Sequence, residues 1–258
     1  MITIITTPKP LGIPRNRIAF ENAIRSWVRL KPRPEVLVFR GDDDRKIIGE
    51  EGGKWIGGIR SSVQGRPYFD HFISEAEVLA SNDIIMYSTD HLILVSDLIT
   101  AVQMVSEAFP GVFVIIGKRW GLHVQDTINF SDPNWESILW DRVIRTNSLG
   151  GNAAKDYMIF RRPFGLSIPN FIMGYPWYDT WFVWAALQAG YPVIDASNVI
   201  TVVHQSHGFV EGDVEAREIT PGGQHNRRIG KSLNLDGMGA ISQATYVLTR
   251  NGVEKRNG

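Results

Sequence analysis

Short, almost wholly apolar runs alternate with longer amphipathic ones through the first half of this chain. Ile2–Thr6, Glu35–Phe39 and Ile84–Ser88 have the length and apolar content of buried strands, and Lys54–Ile56 reads as a further short strand. Between the first two, apolar side chains at Ile18, Ala19, Ala23, Ile24, Trp27 and Val28 recur at helical spacing and predict a helix over 16–30, stopped by Pro32 and Pro34. A second helix is predicted over 68–81. Ser96-Asp97 opens a third that reaches about Ala108, with Pro110-Gly111 beyond it. A strand over 112–116 runs into Gly117-Lys118-Arg119-Trp120. Asp132-Pro133 reads as a cap followed by the first residue of a helix ending near 145. Later come a short strand over 156–160, an apolar helix over 180–188 closed by Gly190, and strand material at 192–195 and 199–203. After His207 the chain turns polar and Gly-rich, and no structure is predicted for most of it, except a strand or helix over 243–249. Strand alternating with helix is the pattern of an α/β fold, a mostly parallel sheet with helices on its faces.

Charge and composition narrow the function. Lys plus Arg equals Asp plus Glu, 27 of each, which argues against a general nucleic-acid binder. There is no cysteine, hence no disulfide, thiolate metal site or cysteine nucleophile, as fits a reducing, cytoplasmic setting. The N-terminus reads as a first strand and not as a signal peptide, and no run approaches the ~18 apolar residues of a membrane span. Eight tryptophans are many for 258 residues and suit stacking on a planar or sugar-like ligand. The oligomeric state is not readable.

The chemistry gathers where apolar runs end. Ile84–Ser88 stops at Thr89-Asp90-His91, and another apolar run, 92–95, follows at once. A carboxylate held between two hydrophobic segments needs a partner, and open α/β sheets bind ligands at the carboxyl ends of their strands. Asp90 is therefore a turn or cap residue, or the ligand of a divalent cation such as Mg²⁺ or Mn²⁺. His91 is a second ligand or a polar residue facing the sheet edge, and the latter is expected. The run 199–203 delivers His204 to its end, with His207 three residues on; the two are structural histidines, or His204 completes a mixed His/carboxylate site with Asp90. Asp42, Asp43 and Asp44 follow the second strand, as a solvated loop or as acids facing a nucleotide's base or ribose. Asp179 lies among Tyr175, Trp177, Tyr178 and Trp181 just before an apolar helix. It is that helix's N-cap, a general base whose pKa burial raises, or both. Asp156 opens a strand after the flexible 150–154 loop and either caps that loop or meets a substrate hydroxyl; Lys118 and Arg119 end another strand.

Together these residues resemble the GT-A class of nucleotide-sugar glycosyltransferases, family 2-like, over roughly 1–210. Ser88-Thr89-Asp90 stands where that class carries an Asp-x-Asp metal motif, with Ser88 in place of the first acid. Asp179 stands where inverting members carry the acid of a Glu-Asp pair, with Tyr178 in place of the glutamate. His204 stands where a late histidine contacts the metal. The resemblance implies a single domain of GT-A, Rossmann-like fold over 1–210, with a nucleotide-binding half at 1–110, an acceptor half at 111–210 and a polar C-terminal tail at 211–258. It implies transfer of a sugar from a UDP- or GDP-sugar donor to a hydroxyl of a carbohydrate or glycan acceptor. Asp90 and His204 would hold Mn²⁺ or Mg²⁺, and Asp179 would deprotonate the acceptor. Thr6, Thr7, Asp42, Asp43, Ser88, Thr89, Lys118 and Asp156 would contact the donor. That arrangement gives inversion at the anomeric carbon, and retention stays compatible with the sequence.

Rival readings differ in what they require. A nucleotidyltransferase needs a Gly-rich, basic loop after the first strand, whereas 7–15 holds a single glycine, Gly12. A metal-dependent phosphoester hydrolase would draw on Asp90, His91, His204 and His207. A non-catalytic carbohydrate-binding protein would keep the aromatics and have no use for Asp90. No Gly-x-Gly-x-x-Gly follows a strand, which argues against NAD or S-adenosylmethionine.

Overall fold

The computed structural model describes residues 1–40, 44–153, 155–205 and 217–256. The front half runs β1 (Ile2–Thr6), α1 (Pro14–Trp27), β2 (Glu35–Phe39), α2 (Arg45–Glu50), β3 (Lys54–Ile56), α3 (Phe69–Leu79), β4 (Ile84–Ser88), β5 (Leu92–Leu94) and α4 (Asp97–Ala108). The back half follows with β6 (Val114–Ile116), β7 (Trp120–Leu122), α5 (Trp135–Thr146), β8 (Tyr157–Arg161), α6 (Tyr178–Gln188), β9 (Val193–Asp195), β10 (Val202–Gln205), α7 (Pro221–Ser232), β11 (Tyr246–Thr249) and β12 (Gly252–Lys255).

Nine strands form one sheet in the order β12-β11-β9-β6-β8-β4-β1-β2-β3. Pairing is parallel from β4 through β1 and β2 to β3, and again from β6 through β9 to β11. β8 is wedged antiparallel between β4 and β6, setting Tyr157 opposite Ser88. That reversal delivers the residues entering β8 to the carboxyl end of β4, the edge where an α/β sheet binds its ligands.

Burial on both faces explains why the strands read as continuous apolar runs. Side chains alternate across a strand. Ile4, Val36, Val38, Met86, Ile115 and Ile159 join one core with Phe20, Ile24 and Trp27 of α1 and Leu98 and Val102 of α4. Ile5, Leu37, Phe39, Ile85, Tyr87, Val114 and Phe160 join the other, with Phe69 and Phe72 of α3 and Trp181 and Phe182 of α6. A second sheet, β5-β10-β7, packs with α5 around Ile93, Leu122, Leu139, Val143 and Val203.

Several expectations need correction. Asp132 does not cap α5; the cap residue is Asn134, whose N–H bonds Asp132 Oδ1 at 2.8 Å, so the Asp-Pro pair makes a turn before the helix. The late strand expected at 199–203 is β10, and it reaches Gln205 because it pairs antiparallel with β5 and parallel with β7. His204 thus lies within the strand. Beyond residue 216 the polar composition concealed regular structure. Thr220 caps α7 by accepting the Gly223 N–H, Pro221 starts it, and it buries Gly222, Gly223, Asn226 and Gly230 instead of an apolar stripe. β11 then joins β9 in the main sheet and pairs with β12 as a hairpin. Among the described residues no helix is long and apolar enough to cross a membrane.

Candidate functional site

β4 carries Asp90 to the sheet's carboxyl edge and buries it, 6 % exposed. Its Oδ2 accepts the backbone N–H of Lys9, from the loop after β1, at 2.7 Å, and its Oδ1 faces His91 Nδ1 at 2.8 Å. Burial pushes the carboxyl up. The hydrogen bonds from the His91 ring and the Lys9 N–H and the nearby Lys9 ammonium outweigh it and hold Asp90 below the ordinary aspartate value. The result is an ionised carboxylate in a buried setting.

His91 follows Asp90 at that edge. It is buried beside Asp90, and burial lowers its pKa despite the adjacent carboxylate. A neutral ring therefore donates from Nδ1 to Asp90. The His204 ring stands edge-on to His91, centroids 4.4 Å apart. Asp90 and His204 thus meet through His91. The loop is fixed from behind by α1: Trp27 Nε1 donates to Leu92 O at 2.8 Å, Ser26 Oγ accepts the Leu94 N–H at 3.1 Å, and buried Asn22 bonds Gln205, which bonds His91 O. Among the described residues no group of three His, Asp or Glu side chains is placed to hold a metal ion.

The antiparallel β8 supplies the second side of the site. The Thr89 N–H bonds Asp156 O at 3.0 Å, and the Asp156 carboxylate pairs with Arg119. One residue earlier, Lys155 is buried and sets its ammonium 3.5 Å from Asp179 Oδ2. Nothing in the local pattern around Lys155 marked it; only the strand reversal brings it here. Asp179 lies in the first turn of α6, where an anion suits the helix dipole, but the N-cap position is Trp177, at φ 94°.

That unusual Trp177 backbone is held by α7. Asn226, fully buried, accepts the Ile172 N–H at 2.7 Å and donates to Ile172 O and Pro176 O, both at 2.9 Å. Gly222 and Gly230 let Tyr175 and Trp177 pack flat on the helix; a Cβ at either would lie 2.2 or 2.4 Å from those rings. The loop that delivers Asp179 is therefore clamped to a helix the sequence pattern missed.

Of the other predicted residues, Thr6 ends β1 and Thr7 follows it, while Ser88 ends β4 with its hydroxyl on Thr89 O. Thr6 Oγ1 and Thr89 Oγ1 are buried with no hydrogen-bond partner among the described residues. Lys118 follows β6, its N–H on Ser197 Oγ at 2.9 Å; its neighbour Arg119 is the cation that meets Asp156. Asp44, 6 % exposed, pairs with Arg40, which leaves it no solvated role. Asp42, Asp43 and His207 lie outside the described residues.

No protein-family model matches this sequence, and no curated protein matches it. Solved structures do match in three dimensions. Glucosyl-3-phosphoglycerate synthase from M. tuberculosis superposes with a TM-score of 0.52 at 12 % identity, over 92 % of this chain and 81 % of that one. The same enzyme in complex with Mg²⁺ and uridine-diphosphate gives 0.50 at 14 % identity, over 92 % and 80 %. A mannosyltransferase from Pyrobaculum calidifontis, in complex with GDP-Man and Mn²⁺, gives 0.47 at 14 % identity, over 81 % of this chain and 58 % of that one. At such identities the likeness is one of fold, and with the strand order and the reversed β8 it makes this a single α/β domain of the GT-A, Rossmann-like fold.

Proposed function

We propose that the protein is a glycosyltransferase that moves a sugar from a nucleotide-sugar donor to an acceptor hydroxyl, with Asp90 on the donor side and Asp179 as base. The observation that carries this reading is the joining of two carboxylate stations by one stretch of chain. Thr89, next to Asp90, is bonded to Asp156, and Lys155 is paired with Asp179. The unsatisfied hydroxyls of Thr6 and Thr89 stand at the ends of adjacent strands, where a donor's ribose or base would supply partners. Leaving such hydroxyls without partners costs about 1–3 kcal/mol each.

An ionised carboxylate and an imidazole are hard and borderline donors that suit Mg²⁺ or Mn²⁺. Each Asp90 oxygen retains a lone pair beyond its one hydrogen bond, so the residues fit such an ion. Asp90 and His204 would hold it, and it would neutralise charge on the departing diphosphate. The protein of like fold in complex with Mg²⁺ and uridine-diphosphate agrees with that.

The chain's own residues do the rest. Lys155 holds the Asp179 carboxylate in place. An acceptor hydroxyl hydrogen-bonded to Asp179 gives up its proton as its oxygen attacks the anomeric carbon, and the bond from that carbon to the diphosphate breaks. Attack opposite the leaving group inverts the anomeric centre. Calorimetric titration with UDP and GDP, with and without Mn²⁺, tests the reading. Micromolar, metal-dependent binding that Asp90→Ala abolishes is expected; absence of binding to both nucleotides with metal present overturns it.

A further inference from the structure

The polar loop that follows β7 is held from behind by buried groups. Asn22 of α1, fully buried, accepts the Ile128 N–H at 2.9 Å and donates to Asp126 O at 3.0 Å, so it holds the loop as a neighbouring strand would. Phe130 is buried at the loop's end, edge-on to Trp135 of α5 with ring centroids 4.9 Å apart. Arg142 of α5 donates from Nη2 to His123 O at 3.2 Å and fastens the loop's start. Asp126 and Asn129 nevertheless stay exposed on this fixed backbone. Exposed polar side chains on a loop fixed by its scaffold are the usual build of a binding surface.

A cavity of about 200 Å³ opens between this loop and α5, with Ile128 and Trp135 as apolar lining and Asp126, Asn129, Asp132 and Arg142 as polar lining. A cavity of about 150 Å³ holds benzene, whereas drug-sized ligands fill about 300–1,000 Å³. The space therefore suits a single six-membered ring. Its polar groups keep bonding capacity. Among the described residues Asp126, Asp132 and Arg142 form no ion pair, Asn129 spends its side-chain oxygen on the Ser131 N–H and retains its NH₂ group, and Asp132 spends one oxygen on the Asn134 N–H. Two carboxylates beside one guanidinium disfavour a phosphate or another carboxylate. Acceptors and donors set around an aromatic ring match a neutral polyhydroxylated ring, whose hydroxyls both donate and accept and whose C–H groups pack on the electron-rich ring face.

We propose that this cavity is a second carbohydrate site, apart from Asp90 and Asp179, that takes one neutral pyranose unit. β7 lies between the two places: Arg119, just before it, meets Asp156, and the loop begins after Leu122, about 10 Å further along the strand. Binding at the cavity stands without the glycosyltransferase reading. Its use, holding a glycan at a unit other than the one modified, rests on that reading.

The test is proton–nitrogen correlation NMR of the tryptophan indole groups in the full chain, with Trp135 assigned by the resonance that Trp135→Phe removes. Methyl α-glucopyranoside, methyl α-mannopyranoside, N-acetylglucosamine and maltotriose are titrated into wild type, Asp126→Ala, Arg142→Ala and Asp179→Asn. Thermal melts establish that each variant is folded, and Asp126→Asn or Arg142→Gln replaces an alanine variant that is not. At least one sugar is expected to shift the Trp135 resonance saturably in the millimolar range. Its affinity should fall tenfold or more in Asp126→Ala or Arg142→Ala and stay unchanged in Asp179→Asn. Tighter binding of maltotriose than of methyl α-glucopyranoside assigns the cavity to a unit within a chain, and equal binding assigns it to a single sugar. No shift of Trp135 with any of the four sugars, or unchanged affinity in both cavity variants, overturns the proposal. Binding that Asp179→Asn abolishes and Arg142→Ala spares belongs to the acceptor position and overturns it too. A wild type that binds UDP or GDP and no sugar removes the second site alone; sugar binding at Trp135 with no nucleotide binding leaves the site standing and removes the glycosyltransferase reading.

Discussion

The hydroxyls of Tyr87 and Tyr178 lie 3.0 Å apart in the core between β4 and α6. Tyr87 stands three residues before Asp90, and Tyr178 stands next to Asp179. One buried hydrogen bond thus ties the strand that leads to Asp90 to the helix that carries Asp179. The rings of Phe69 and Phe72 pack around the pair. The Tyr178 hydroxyl is turned into the core.

Tyr178→Phe removes that bond and strands the Tyr87 hydroxyl. Urea unfolding is expected to show a loss of about 1–3 kcal/mol, the cost of an unpaired buried polar group. Nucleotide affinity should change little, because among the described residues the Tyr178 hydroxyl hydrogen-bonds Tyr87 and not the Asp90 loop.

Burial, acting first, raises the pKa of Tyr87, Tyr157 and Tyr178, all three beyond the ordinary phenol range. Absorbance titration at alkaline pH should therefore leave three of the seven tyrosines silent until the protein unfolds. Titration of all seven near pH 10, the ordinary value, would contradict the packing described.

Asp179→Asn should leave UDP or GDP binding intact and cut transfer by about 10²–10⁴, the usual worth of a general base. Lys155→Met should also lower the rate at saturating substrate while sparing nucleotide affinity. Equal loss of nucleotide binding in both variants would place them on the donor side instead.

Asp97 carries a pH signature unconnected with catalysis. Burial, partly offset by the Thr201 N–H bonds, raises its carboxyl to about 6. The fold therefore binds that proton more tightly than the unfolded chain, whose aspartates titrate near pH 3.9. The associated stability is complete below about pH 4 and is lost as the pH rises through about 6. Relative to Asp97→Asn, wild type should lose ~1–2 kcal/mol across that window, allowing for screening of a partly exposed group. A flat difference between the two proteins would count against this.

Asn226→Ala leaves the Ile172 N–H and the Ile172 and Pro176 carbonyls without their partner. A loss of about 2–4 kcal/mol is expected for a buried network broken at its centre. Proteolytic nicking should concentrate at 172–177, the loop that α7 no longer clamps.

The apolar rhythm located β1, β2 and β4 to the residue, because strands buried on both faces leave an uninterrupted signature, and the bounds read for the partly exposed edge strand β3 also match. α2, β7 and β12 escaped, being short or polar, and α7 escaped because glycines and one asparagine make its buried face. Asp90 was legible as a lone acid between two buried runs. Lys155 and Asn226 were not, since each acts across a long sequence separation on a residue it does not resemble or neighbour.

The sequence by itself determined the α/β class, the placing of the front strands and the burial of Asp90, because hydrophobic periodicity is local and records which side chains leave water. Tertiary structure alone decided that β8 runs backwards and brings Lys155 to Asp179, that β10 sets the His204 ring on His91, and that α7 holds the loop before α6. Strand direction and the meeting of distant loops follow from which long-range pairing buries the most surface with every backbone group satisfied, and no window of the sequence contains that comparison.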